Sequence, residues 1–144
     1  MMVLVAIFAL YLEGVRLLNL SRYYQQRAEW HAIAAYQHAK TVKEYQSKYE
    51  VILIMRDFYT TDRYPSEMKG GRLIEDAIAF KKVADRESVL RSAANYEEQA
   101  AECKMIVERR KINLNYYLTN LNKYEVAARY PWRTVAPDTP APGL

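Results

Sequence analysis

The chain has 144 residues, enough for one domain, and a formal net charge of +4. Its Lys/Arg and Asp/Glu residues are interspersed, so it offers no concentrated basic groove for nucleic acid, and solvated helix surfaces are expected instead. The single cysteine, Cys103, excludes an internal disulfide and fits a reducing compartment.

The chain opens on MMVLVAIFALYL, twelve apolar residues in a row, and continues as EGVRLLNL with Glu13, Arg16 and Asn19. A full membrane span takes about 20 mostly apolar residues, and Glu13 is costly near the bilayer centre. A secretion signal would carry a basic start and a small-x-small cleavage site, which this stretch lacks. A buried helix of a soluble core is the other alternative. The expectation is a single-pass membrane anchor over residues 1–20, continued upstream of Met1 or begun at an internal start. Arg16, Arg22 and Arg27 form a positive C-terminal flank, which places the bulk of the chain on the cytoplasmic side of the inner membrane.

No proline interrupts residues 1–64 or 66–130, which favours long helices over a sheet, since strands need turn residues roughly every 8–12 positions. A heptad stripe runs Leu17, Tyr24, His31, His38, Tyr45, Ile52, beside Ser21, Ala28, Ala35, Val42 and Tyr49. Small and aromatic residues alternating on one stripe suit packing along another helix. A second stripe runs Ala93, Ala100, Val107, Leu114, Leu121, Ala128, with Val89, Tyr96, Cys103, Tyr117 and Tyr124 beside it and Arg110 interrupting. Between the two, DFYTTDRYPSEMKGG holds Pro65 and Gly70-Gly71. The predicted fold is therefore all-α, a long antiparallel, coiled-coil-like helical hairpin. Its predicted parts are an anchor over 1–20, a first helix over 21–56, a connection over 57–71, a second helix over 72–130 and an extended Pro-rich tail over 131–144.

Lengths constrain this hairpin. With the anchor in the bilayer, about 45 Å of the first helix would project, against about 85 Å of the second at 1.5 Å per residue. About 20 residues of the second helix would be left over, to bend, to pair with another subunit or to lie on the membrane. INLNYYLTNLNKY suits a surface helix, with Leu114, Tyr117, Leu118, Leu121 and Tyr124 on one side and Asn113, Asn115, Asn120 and Asn122 on much of the other. An ordinary hairpin face is the simpler expectation.

Chemistry is sparse. His31 and His38 share a face but lie two turns apart, about 10 Å, whereas metal ligands on one helix usually sit three or four residues apart. Glu97, Glu98 and Glu102 near Cys103 read as a solvated acidic face. No phosphate-binding glycine loop, H-E-x-x-H, C-x-x-C or G-x-S-x-G is present. Neither metal, cofactor nor catalytic residue is expected, and the protein is not expected to be an enzyme.

Pro131 disfavours helical geometry at Tyr130 and stops the second helix. Pro137, Pro140 and Pro142 favour polyproline II geometry, which loses little entropy on docking. PDTP meets the minimal P-x-x-P pattern without the usual basic residue. The tail is either solvated or folds back through Trp132 and Val135. KYEVAARYPWRTVAPDTP resembles the C-terminal signature K-Y-x-x-A-A-x-x-P-W-x-x-V-x-P-D-x-P of short bacterial proteins found mainly in planctomycetes. YYQQRAEWHA resembles their Tyr/Arg/His-rich stretch, with Tyr24, Arg27, Ala28 and His31 in matching places. Tyr117 stands where that pattern has a histidine. The resemblance covers about a third of the chain and implies a single-span membrane protein of coiled-helix type, with no activity attached.

The function expected is a non-enzymatic, membrane-anchored helical interaction or scaffold protein that pairs with a protein partner or with itself through its helix faces. The alternative is a soluble helical module using its tyrosine-rich faces for a ligand or nucleic acid. Candidate interaction residues are Tyr24, His31, His38, Tyr117, Tyr124, Trp132, Pro137 and Pro140.

Overall fold

The computed structural model describes residues 2–61 and 72–143. Among these the protein is all-helical: α1 spans Met2–Thr60, α2 Arg72–Val83 and α3 Arg86–Arg129. No strand occurs among the described residues. Most of the expected connection, with Pro65 and Gly70-Gly71, lies outside them.

Two boundaries differ from those expected. α1 runs on to Thr60 rather than stopping at residue 56. Its last carbonyls find a donor in Lys81, whose Nζ donates to the Phe58 and Thr61 carbonyl oxygens at 2.9 and 3.0 Å, so a cation meets the negative end of the helix. The second helix, expected unbroken over 72–130, is interrupted at Ala84-Asp85. Asp85 is the cause, because its carboxylate accepts the Ser88 backbone N–H at 2.7 Å and caps α3. That hydrogen bond, assisted by the Ser88 hydroxyl, holds the Asp85 carboxyl below its ordinary value.

The chain forms two compact units, one of Thr41–Glu108 and one of Met1–Lys40 with Arg109–Leu144. In the former, Met55, Phe58 and Tyr59 of α1 pack with Ala77 of α2 and Ala93 of α3. The Tyr59 ring stacks on Tyr96 at 5.6 Å. A second cluster gathers Ile52, Ala100 and Cys103 under Tyr45 and Tyr49. Alanine opposite an aromatic ring lets helices approach closely while the ring fills the remaining volume.

In the latter unit, Ala28, His31 and Ala35 of α1 are buried, as are Asn113, Asn120, Tyr124 and Ala127 of α3. Ser21 meets Ala128, Tyr24 meets Tyr124, and His38 meets Tyr117. Ser21 Oγ donates to the Ala128 carbonyl at 2.8 Å, satisfying an acceptor that the end of α3 leaves open.

Every position of the expected α1 stripe from Leu17 to Ile52 is buried or half-buried. Every position of the expected α3 stripe, from Val89 to Ala128, is likewise buried or half-buried. Asn113 and Asn120, expected on a polar outer face, are buried beside it at 2% and 6% exposure. Asn120 Nδ2 donates back to the Tyr116 carbonyl at 3.1 Å. Of the polar face that the surface-helix alternative assigned, Asn115 and Asn122 are exposed while Asn113 and Asn120 are buried, and Leu118 of the apolar side is exposed.

The N-terminal segment has the opposite character. Val3, Leu4, Ile7, Phe8, Leu10 and Leu12 are 50% to 75% exposed. One window within Val3–Thr60 is long and apolar enough to cross a membrane, with mean hydropathy 1.8 and none of it buried. Glu13 and Arg16 pair with each other across one turn, 2.6 Å apart.

Phe58 is 3% exposed at the centre of its cluster. Phe58→Ala is expected to lower stability by about 3–5 kcal/mol, the usual cost of deleting a buried aromatic side chain. Urea unfolding followed by circular dichroism measures it.

Candidate functional site

The unit holding both ends of the chain contains the densest polar cluster among the described residues. Arg27 and His31 stand one turn apart on α1, so their side chains share a face. Tyr116, Lys123 and Tyr124 face them from α3. The third contributor is the segment after Arg129, where α3 ends one residue before Tyr130-Pro131, as the ring of Pro131 dictates. A turn closed by Arg133 N–H on the Tyr130 carbonyl follows, and residues 134–143 carry neither helix nor strand.

Asp138 is the hub of the cluster. Its Oδ2 accepts Arg27 Nη2 at 2.5 Å. Its Oδ1 accepts the Tyr124 hydroxyl at 2.9 Å and a closer contact from Lys123 Nζ. Three donors on two helices thus converge on one carboxylate whose side chain is 16% exposed. Charge-assisted contacts of this kind are about twice as strong as neutral ones. Backbone contacts flank the hub: Tyr116 OH donates to the Thr139 carbonyl at 2.7 Å, and Lys123 Nζ donates to the Ala136 carbonyl at 3.2 Å. Beside them lies an open cleft of about 380 Å³ between Tyr116, Lys123 and the Ala136-Pro137 segment.

His31 is fully buried in an aromatic box. Its ring stacks on Tyr124 at 5.4 Å and meets Trp30 edge-on at 4.7 Å and Tyr117 at 5.8 Å. His31 Nε2 lies 3.6 Å from Asp138 Oδ2, beyond hydrogen-bond reach. Among the described residues, neither ring nitrogen of His31 finds a hydrogen-bond partner, and nor does the buried Nε of Arg27.

Electrostatics follow from this packing. Burial pushes the His31 pKa below its ordinary value; Asp138 opposes that shift, whereas Arg27 and Lys123 reinforce it. Burial alone would raise the Asp138 pKa. The hydrogen bonds from Lys123 and Tyr124, with the charges of Lys123 and Arg27, outweigh it and hold the carboxyl below its ordinary value. His38, stacked on Tyr117 at 5.2 Å, is also held low, first by burial and then by Arg110. The cluster at neutral pH therefore holds two cations, one carboxylate and a neutral imidazole.

Of the candidate interaction residues, Tyr24, His31, His38, Tyr117 and Tyr124 come together, and they contact one another rather than presenting free surfaces. Pro137 lines the cleft, and Pro140 is exposed. Trp132 is 64% exposed, and its ring contact is with its neighbour Tyr130. The fold-back contacts come from Ala136, Asp138 and Thr139 instead. Sequence reasoning passed over Asp138, Lys123 and Tyr116. The available signal was an aspartate amid prolines, the only acidic side chain in the segment after Tyr130. The YYQQRAEWHA stretch of α1 and the C-terminal stretch from Lys123 meet here, through Arg27 and His31 from one and Tyr124 and Asp138 from the other.

Among the described residues no group of three or more His, Cys, Asp or Glu is placed to hold a metal ion. Comparison with protein families, curated proteins and solved structures finds no match to this chain.

Because the folded pKa values of His31 and His38 lie below the ordinary value of 6.5, the unfolded chain takes up more protons as pH falls below it. Stability is present above that pH and is lost on acidification. Protonation of Asp138 adds a further loss at lower pH, below its ordinary value of 3.8. The thermal midpoint is expected to fall between pH 7 and pH 5, and to fall less in His31→Gln; identical pH profiles for the two proteins would contradict the burial of neutral His31.

Proposed function

We propose that the protein is a non-enzymatic, membrane-anchored helical scaffold, built as an antiparallel hairpin with a tail strapped back by Asp138. The observation that carries this reading is the exposed apolar segment from Val3 to Leu12, continuous with a helix that is packed from Leu17 onward. Apolar surface costs about 25 cal/mol per Å² when left in water, and a contiguous exposed stretch of this kind marks a membrane or protein contact. The pairing of Ser21 with Ala128 supports the same reading, because α3 ends opposite the residue that follows the apolar segment. A lipid phase in place of a helix partner would cover the segment, and the Arg16, Arg22 and Arg27 flank favours a cytoplasmic orientation.

An interaction role is supported by apolar side chains that the packing leaves out. Trp30 and Ile33 on α1 and Ile112 and Val126 on α3 are 41% to 61% exposed. Rows of this sort suit a protein partner or a second copy. The tyrosines weigh against the soluble ligand-binding alternative, since Tyr24, Tyr117 and Tyr124 are engaged in internal ring contacts. The resemblance of both ends to single-span planctomycete-type proteins agrees with the anchor.

Fractionation tests the proposal. The full chain is expected in the membrane pellet and to resist alkaline carbonate extraction, whereas a chain begun at Leu20 is expected in the supernatant. Recovery of the full chain in the supernatant without detergent would contradict the anchor.

A further inference from the structure

We propose that the pocket occupied by Asp138 is a binding site for a tetrahedral oxyanion, a phosphate group, for which the tail carboxylate is an internal stand-in. Arg27, Lys123, Tyr124 and His31 all point at the place where the Asp138 carboxylate sits. A carboxylate has two oxygens whose lone pairs all lie in one plane. One serves Lys123 and Tyr124 and the other serves Arg27, which leaves His31 Nε2 at 3.6 Å. His31 is fully buried, and Arg27 Nε beside it is also buried without a partner among the described residues. Buried donors left unmade are costly, so a site whose occupant brings no acceptor within reach of them is poorly matched to it.

A phosphate group supplies the missing acceptor. With three or four oxygens it reaches Arg27, Lys123 and Tyr124 as Asp138 does and still offers an oxygen to His31 or to Arg27 Nε. Charge points the same way. Arg27 and Lys123 carry two positive charges against the single negative charge of Asp138. A phosphate monoester carries about −1.5 to −2 at pH 7 and balances both cations. Arginine supplies the planar fork and lysine the point charge that phosphate sites combine. The adjoining cleft of about 380 Å³, bounded by Tyr116, Lys123 and Pro137, leaves room for the group that carries the phosphate. Binding displaces the Asp138 carboxylate and so frees the tail from α1 and α3, which makes the strap a ligand-released one. The site does not depend on whether the apolar segment crosses a bilayer.

The test uses the full chain in detergent, as wild type and as Asp138→Asn. A tethered carboxylate acts at an effective concentration in the millimolar range, so removing its charge is expected to lower the inorganic phosphate concentration for half-maximal thermal stabilisation about tenfold or more. The same titration in Asp138→Asn/Arg27→Gln is expected to show no saturation. Vesicles of phosphatidylcholine with phosphatidic acid form the second arm. If they compete with inorganic phosphate the source is a lipid headgroup, and if they do not it is a soluble phosphate; either result upholds the site. Stabilisation of Asp138→Asn by phosphate no greater than by chloride at equal ionic strength would overturn it, as would saturation unchanged by Arg27→Gln. Should Asp138→Asn not fold, wild-type tail cleavage by proteinase decides. Acceleration by phosphate and not by chloride upholds the site, and no acceleration overturns it.

Discussion

The two oxygens of the Asp138 carboxylate gather α1, α3 and the C-terminal segment at one point, through Arg27, Lys123 and Tyr124. A segment with no regular secondary structure has no ladder of hydrogen bonds to hold it, so its position depends on the few side chains that reach the helices. Proline lowers the entropy lost in that ordering, and the charge-assisted contacts supply the attraction. His31 lies in the same web, buried and neutral because the loss of water, helped by the Arg27 and Lys123 charges, disfavours its proton against the opposing pull of Asp138. The aromatic box around it, with Tyr124 stacked on one face, keeps water away from the imidazole.

Much of the helical organisation was legible in the sequence. The alternation of small and aromatic residues from Leu17 to Ile52 identified the packed face of α1 at each position, because a strict heptad keeps one face toward its partner. The end of α3 was readable from Pro131. Two features were not. Asp85 breaks the second helix, but an aspartate within a charged run resembles any other solvated residue until its carboxylate is seen on the Ser88 N–H. Asn113 and Asn120 are buried beside the α3 stripe, whereas hydropathy alone assigns asparagine to the outside.

The polar cluster was only half legible. Tyr24, His31, His38, Tyr117 and Tyr124 could be picked out because they occupy stripe positions. Asp138 and Lys123 lie on no stripe, and pairing them with Arg27 requires knowing that the chain doubles back across more than a hundred residues. Trp132 drew notice as the largest side chain of the tail, yet it sits outside with Tyr130. Size favours packing only where a partner surface is available, and here the charges claimed that surface first. The apolar start of α1 differs from both helix seams, for none of its apolar window is buried among the described residues.

The central claim is that a charge, and not an aromatic anchor, fixes the tail. Limited proteolysis of the C-terminal segment at neutral pH tests it directly by comparing wild type with Asp138→Asn and Trp132→Ala, with far-ultraviolet circular dichroism reporting that the helices are intact. The expected result is faster cleavage after Tyr130 in Asp138→Asn and wild-type cleavage in Trp132→Ala. Wild-type cleavage in Asp138→Asn, with acceleration in Trp132→Ala, would contradict it.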